Sequence, residues 1–137
     1  MRILVDSSVF ISFFNDTDIF HKETTSIVGK FAKDKKIELI LPIIVFLEVA
    51  YTLQKQLKYF DENKTIKIFS ASKTVELNYS LAKEILPIMK GFNLKTSDAV
   101  IAAIAKLTEA IVITWDQKLQ KEAGKIVKVF TPKEFLK

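Results

Sequence analysis

Residues 3–14 read ILVDSSVFISFF, and this stretch decides the fold class. Its first three residues form a continuous apolar run, which is typical of a strand that is covered on both faces. Asp6 ends the run, and residues 7–14 then follow a helical pattern. A short apolar strand that passes directly into a helix is the repeating unit of α/β proteins.

The same alternation continues along the rest of the chain. Apolar runs predict further strands at 37–41, 73–77, 110–114 and 126–130. Helical patterns predict helices at 19–33, 43–56, 80–90, 97–107 and 117–123, whereas 61–72 is ambiguous and 65–69 is its best helical candidate. Pro42 suits the first turn of the third helix, and Gly91 suits the end of the fourth. The whole pattern predicts a three-layer α/β/α sandwich with a central parallel sheet of about five strands.

Length and composition favour one domain. The chain has 137 residues, 49% of them apolar, and no linker rich in Pro, Gly or Ser divides it. Domains commonly contain ~100–150 residues, so we predict a single domain over 1–137. The longest apolar run, at 39–47, is far shorter than the ~18 residues that a membrane span requires. We therefore expect a cytoplasmic protein without a membrane partner.

The residue inventory excludes several kinds of chemistry. The chain has no Cys and one His, which excludes a disulfide scaffold, a thiolate zinc site, a cysteine nucleophile and a His-rich metal site. The net charge is +5, from 21 Lys and Arg against 16 Asp and Glu. This excess permits a polyanionic partner such as nucleic acid, although a charged, solvated surface explains it equally well.

Four carboxylates occupy positions that the predicted fold brings together. Asp6 directly follows the first strand, Asp116 follows the strand at 110–114, and Asp98 opens an Ala-rich helix. Glu48 lies in the helix after the second strand. Ligands bind α/β sheets at the carboxyl ends of the strands, where these acids are expected. The alternative is structural: each Asp suits a helix N-cap or first turn, and Glu48 suits a solvent-facing stripe.

Convergence of these carboxylates would require a cation. Unpaired acids repel one another and resist ionisation, and a hard divalent ion removes that conflict. Oxygen ligands without Cys or a usable His indicate Mg²⁺ or Mn²⁺ rather than zinc. Such a site can activate water and stabilise a phosphoryl transition state.

The chain resembles the PIN-domain family, specifically the short VapC-like toxin ribonucleases of type II toxin–antitoxin pairs. Four stretches carry the resemblance in the family's order: ILVDSSVFI at 3–11, LEV at 47–49, SDAVIAAIA at 97–105, and VITWD at 112–116 followed by Leu119. Each motif is loose alone, whereas their order and spacing together are specific.

The resemblance implies a metal-dependent endoribonuclease that hydrolyses RNA phosphodiester bonds. Its acidic site, which would both hold the metal and carry catalysis, comprises Asp6, Glu48, Asp98 and Asp116, with Mg²⁺ or Mn²⁺ as cofactor. The fourth acid would bind through water or serve a second metal. Ser7 and Thr114 would support the site as neighbouring polar groups. Trp115 departs from the small or polar residue expected there, and its ring suggests a stacking platform for a base. The resemblance also implies a cognate antitoxin partner and a homodimer.

Other functional classes remain open on the sequence. The main alternative is a non-catalytic PIN-like module that binds RNA or protein. A phosphotransfer receiver lacks its paired acid and its late Lys, and a haloacid-dehalogenase-like phosphatase lacks a second Asp at Ser8. Of the remaining features, His21 is expected to be structural. The six lysines at 117–137 form either a solvated face or a rim that contacts phosphates. The early phenylalanines either pack in the core or form an interface, and they are Phe10, Phe13, Phe14 and Phe20.

Overall fold

The computed structural model describes residues 1–137 and contains five strands and eight helices. The strands are β1 (Arg2–Val5), β2 (Glu38–Pro42), β3 (Lys73–Val75), β4 (Ile111–Ile113) and β5 (Val129–Phe130). The helices are α1 (Ser7–Phe14), α2 (His21–Lys33), α3 (Ile43–Gln56), α4 (Glu62–Ser70), α5 (Tyr79–Phe92), α6 (Thr96–Thr108), α7 (Gln117–Ala123) and α8 (Pro132–Leu136). No helix is both long enough and apolar enough to cross a bilayer.

All five strands form one parallel sheet in the order β3-β2-β1-β4-β5. The first strand of the chain is therefore the central strand. Ile3 lies opposite Leu39 of β2 on one side and Ile111 of β4 on the other. This architecture confirms the predicted α/β fold with a parallel sheet of about five strands.

The sheet is buried because helices cover it, and the strand sequences reflect that environment. Ile3, Leu4, Ile40 and Ile113 are fully inaccessible to solvent. Consecutive buried residues in one strand mean that both faces are covered, since neighbouring side chains point to opposite faces. Each such side chain contributes about 1.5–3 kcal/mol relative to an exposed position. The apolar runs that predicted the strands are thus the centre of the core.

Several predicted bounds differ from the structure. Pro42 was assigned to a helix but is the last residue of β2 and the N-cap of α3, with extended backbone angles. The helix predicted at 80–90 does not end at Gly91. It corresponds to α5, which continues to Phe92 and is capped by Asn93 in the left-handed conformation, with φ 49°. An Asn tolerates this conformation well, so it ends the helix as a Gly does elsewhere.

Other differences concern short or ambiguous segments. The ambiguous stretch contains α4, whose N-cap Asp61 accepts a hydrogen bond from the backbone N–H of Lys64. The second helix starts at His21 rather than Ile19, which is 85% exposed in the preceding turn. The strands β3, β4 and β5 are shorter than the apolar runs suggested, and α8 was not predicted at all.

Candidate acidic site

The carboxyl edge of the sheet receives the side chains of three helix starts. Asp6 lies between β1 and α1, Asp116 lies between β4 and α7, and Asp98 lies in the first turn of α6. Glu48 projects from α3, the helix that follows β2. Because parallel strands end at one edge, the chain reversals that begin these helices bring the four acids to that edge.

Asp6 is held by hydroxyl groups rather than by a helix. Its carboxylate is almost fully buried, and its Oδ2 accepts hydrogen bonds from Ser8 Oγ at 2.8 Å and from Thr114 Oγ1 at 2.7 Å. Although Asp6 occupies the N-cap position of α1, its side chain makes no capping hydrogen bond. The structural alternative that the sequence left open therefore does not describe Asp6. These hydroxyls orient the carboxylate and leave its charge without a cationic partner.

Asp116 does act as a helix cap. Its Oδ1 accepts a hydrogen bond from the backbone N–H of Leu119 at 2.9 Å, which satisfies a donor in the first turn of α7. Its own N–H donates to Thr114 Oγ1 at 3.0 Å. Thr114 is fully buried and thus links Asp6 to Asp116 through one hydroxyl.

Glu48 carries a buried oxygen without a partner. Its Oε1 is inaccessible to solvent and makes no hydrogen bond in the structure. Burial is the main reason that the pKa of Glu48 is raised, and the neighbouring carboxylates of Asp6 and Asp98 raise it further. Lys95 and Ser97 act in the opposite direction. An oxygen of this kind is costly to bury unless something else satisfies it.

Asp98 shows the same electrostatic conflict. Burial raises its pKa to about 6, and the carboxylates of Asp6 and Asp116 add to the shift against the attraction of Lys95 and Lys118. Asp6 and Asp98 thus act on the pKa of Glu48, and Asp6 and Asp116 act on that of Asp98. The structure brings all four predicted acids into one electrostatic site. Strongly perturbed carboxylates at the edge of an α/β sheet are typical of functional sites.

The donor set suits a hard divalent cation in kind. It consists of carboxylate oxygens without Cys or His, and the unpartnered Oε1 of Glu48 is a free oxygen ligand. No three His, Cys, Asp or Glu side chains are close enough together to form a finished ligand set as they stand. Ion binding would therefore need rotation of side chains toward a shared point.

The predicted Ser7 contacts Asp6, but the neighbouring Ser8, which was not predicted, makes the shorter hydrogen bond. Ser7 Oγ lies 3.5 Å from Asp6 Oδ1, whereas Ser8 Oγ lies 2.8 Å from Asp6 Oδ2 and also accepts from the backbone N–H of Trp115. The first motif places two serines after the acid, and the helical turn of α1 brings the second one back over it. Both serines are small hydroxyl residues in the first turn of α1, so the sequence alone does not distinguish them.

Trp115 is half-buried, and other side chains already occupy part of its ring. Its ring stacks on Phe20 with centroids 4.1 Å apart and planes inclined by 10°, and its Nε1 donates to Thr24 Oγ1 at 2.9 Å. One face of the indole is therefore already covered. His21 is structural, since its Nδ1 lies 2.9 Å from the carbonyl oxygen of Ser12.

The early phenylalanines divide between core and surface. Phe10 is buried and packs against Phe69, with centroids 5.2 Å apart, whereas Phe20 is 37% exposed. An apolar cavity of about 640 Å³ opens beside Phe10 and Phe13, between α1, α2, α4 and β2. Part of this region is thus accessible to a partner.

A parallel sheet with a cluster of carboxylates at its carboxyl edge defines a class of α/β protein. Comparison with known proteins then identifies the family. The family model of the PIN domain matches residues 3–125. The chain belongs to the PIN-domain family. No curated protein sequence matches it significantly.

Solved structures show the same fold at low sequence identity. A toxin–antitoxin complex from Klebsiella pneumoniae has a TM-score of 0.70 at 22% identity, covering 95% of this chain and 97% of that one. VapC20 of Mycobacterium tuberculosis, a toxin that cleaves the sarcin-ricin loop, has a TM-score of 0.70 at 15% identity, covering 93% and 98%. VapBC2 of Rickettsia felis, bound to promoter DNA, has a TM-score of 0.68 at 15% identity, covering 96% and 98%.

Proposed function

We propose that this protein is a metal-dependent endoribonuclease and the toxin of a toxin–antitoxin pair. The observation that carries the proposal is the set of four acids at one sheet edge, where burial and the neighbouring carboxylates raise the pKa of Glu48 and Asp98 and where Glu48 Oε1 is buried and unpartnered. Membership of the PIN-domain family supports the proposal, because this chain combines the family's fold with four carboxylates at the edge of its sheet. The function of a fold must be argued from its site, and here the site suits phosphodiester hydrolysis.

The acids divide the work of holding a cation. Asp6, Glu48 and Asp98 would bind Mg²⁺ or Mn²⁺ directly or through water, and Asp116 would bind through water or at a second ion. When bound, such an ion lowers the pKa of water and offsets charge on a phosphate. Thr114 and Ser8 hold Asp6 in one orientation, so that less freedom is lost when the carboxylates gather.

RNA is proposed as the substrate on two grounds. The M. tuberculosis structure with this fold is a sarcin-ricin loop-cleaving toxin. The net charge of +5 also suits a polyanion. Hydrolysis is expected to leave a 5′ phosphate and a 3′ hydroxyl, as in the family.

A cognate antitoxin and a homodimer belong to the same proposal. Structures with this fold come from toxin–antitoxin complexes of Klebsiella pneumoniae and Rickettsia felis. The apolar cavity beside Phe10 and Phe13 offers a place for an apolar segment of a partner.

If the protein is a toxin, expression of the wild type should slow bacterial growth, whereas expression of Asp98→Asn should not. A growth curve after induction measures the difference.

The direct test is cleavage of a mixed pool of tRNA and rRNA. The wild type and Asp98→Asn are incubated with Mg²⁺, with Mn²⁺ and with EDTA, and the cut ends are mapped. The Asn side chain has the size of Asp98 but is neutral, so it cannot supply a negatively charged ligand. We expect metal-dependent cuts by the wild type, no cuts in EDTA, and a loss of at least about 100-fold in the variant.

A matched control separates the site from general charge effects. Glu109→Gln removes an exposed acid at the far end of α6 and should leave cleavage unchanged. Full activity of folded Asp98→Asn would refute the assignment of the site. Metal binding without any cleavage would instead favour the non-catalytic binding module.

A further inference from the structure

Two lysines lie near the acidic site and form no salt bridge, and they are Lys95 and Lys118. Lys95 is the N-cap residue of α6, three positions before Asp98, and its side chain makes no capping bond. Lys118 is the second residue of α7, two positions after Asp116. Both are exposed, and neither takes part in an ion pair. Their ammonium groups are therefore available to a ligand.

The topology brings both lysines to the edge of the sheet that carries the acids. The helix α6 leads down into β4, and α7 starts where β4 ends, so both helices begin at the carboxyl edge. They also pack against each other. Lys95 acts on the pKa of both Glu48 and Asp98, and Lys118 acts on that of Asp98. This influence places both charges within electrostatic reach of the site.

A pair of free cations beside a carboxylate site has a simple chemical use. A carboxylate cluster repels the phosphates of a nucleic acid, and nearby ammonium groups offset that repulsion for the phosphates on either side. Lysines bind phosphates as point charges and carry no base preference. We propose that Lys95 and Lys118 contact phosphates of the RNA next to the cleaved bond, at the edge where α6 and α7 begin.

The chain supplies a matched control for this inference. Lys106 lies in the last turn of α6, is exposed, and has no ion pair. It shares the helix and the solvent exposure of Lys95 but lies at the opposite edge of the sheet. A loss of net charge alone would affect Lys106→Ala and Lys95→Ala equally, whereas a phosphate contact would affect only Lys95→Ala.

Binding of single-stranded RNA tests the contacts. A fluorescein-labelled RNA of mixed sequence is titrated in Mg²⁺ with Asp98→Asn protein, so that cleavage does not consume the probe, and anisotropy is followed across a range of salt concentrations. Lys95→Ala and Lys118→Ala should each weaken binding several-fold. Each should also make the slope of log affinity against log salt shallower by about 0.7. Lys106→Ala should leave that slope unchanged, and Lys95→Arg and Lys118→Arg should restore it.

Because the inference rests on the proposed function for its substrate, cleavage by the otherwise wild-type chain is measured in parallel. The lysine variants should raise KM with little change in kcat. RNA binding that depends on the lysines, without cleavage, would refute the proposed nuclease activity and support the lysine contacts. Cleavage with salt slopes unchanged in both lysine variants, or changed equally in Lys106→Ala, would overturn the inference and leave the nuclease. Absence of RNA binding would overturn both.

Discussion

Thr114 joins two parts of the acidic site through a single hydroxyl. It donates to Asp6 Oδ2 and accepts from the N–H of Asp116, and it is fully buried. Ser8 links two residues in the same way, since its hydroxyl donates to Asp6 Oδ2 and accepts from the backbone N–H of Trp115. The four acids were predicted from their places near strand ends and helix starts, and Thr114 was predicted from the family resemblance. Ser8 was missed, because the choice between two adjacent serines depends on how α1 turns.

Thr114→Val should therefore destabilise the protein although it keeps the side-chain shape. Asp6 loses one hydrogen bond and the N–H of Asp116 loses its acceptor, so the free energy of unfolding should fall by about 1–3 kcal/mol. Urea denaturation measures the change. Ser7→Ala is the comparison, because its hydroxyl lies 3.5 Å from Asp6, and it should stay within about 0.5 kcal/mol of the wild type. Equal losses in the two variants would contradict the assigned contacts.

Asp98 should make the stability of the metal-free protein depend on pH. Its pKa rises from 3.8 to about 6, so the folded state holds the proton more tightly than the unfolded state. The corresponding stability is fully present below about pH 4 and is lost as the pH rises to about 6. Asp98→Asn removes this loss. In EDTA at pH 7 it should be more stable than the wild type, by up to about 3 kcal/mol.

Urea denaturation in EDTA across pH 4 to 7 would check this prediction. Only the difference between the wild type and Asp98→Asn is informative, because Glu48 and other groups titrate in both proteins. If the difference in the free energy of unfolding between the two proteins stays constant over this range, the pKa of Asp98 is not raised in the folded state.

At the scale of helices, agreement with the sequence followed the strength of the local signals. The bounds of α1, α3 and α7 match their predicted ranges, since each begins within a few residues of the end of an apolar strand. The short α8 was missed, although Thr131 and Glu134 form a capping box that the spacing of the two residues announces. The end of α5 was misplaced because a left-handed Asn93 ends it two residues after Gly91. Such an end depends on backbone geometry that apolar periodicity does not encode.

Glu109→Gly should stabilise the protein. Glu109 caps α6 in the left-handed conformation, with φ 55°, and it is exposed. That conformation costs a residue with a Cβ roughly 1–2 kcal/mol, and Gly avoids the cost but loses some chain entropy. We expect a net gain of about 0.5–1 kcal/mol, measured by thermal or urea unfolding. Asn93→Gly, at the matching end of α5, should gain less because Asn tolerates this conformation. Destabilisation by Glu109→Gly would contradict the left-handed cap.

At the scale of the molecule, alternation of elements predicted the parallel sheet but not the order of its strands. That order depends on which strands are adjacent, and hydrophobic pattern alone is silent on this. The convergence of Glu48 with Asp98 likewise requires α3 and α6 to meet, which happens only in the complete fold. The number of strands, the class of fold and the four acids could be predicted, whereas the hydroxyl network and the coverage of Trp115 needed the assembled structure.

The proposed homodimer can be tested on one particular surface. Leu47 and Tyr51 lie one turn apart on α3 and are 58% and 61% exposed, which leaves an apolar stripe beside Glu48. If a second copy covers this stripe, Leu47→Asp should convert the dimer to a monomer in light scattering. Leu107→Asp, at a similarly exposed position on α6, is the control and should remain dimeric. A wild-type chain that is monomeric at all concentrations would contradict the dimer.

The central position of β1 also has a consequence during synthesis. Asp6 is synthesised well before the threonine that holds it, which lies 108 residues further along the chain. The strand beside it, β4, likewise pairs Ile3 with Ile111. Contacts of such separation form late, because the intervening chain must be ordered first. A nascent chain that stops before Thr114 therefore lacks both the threonine that orients Asp6 and the strand that pairs with β1, so its acidic site cannot form.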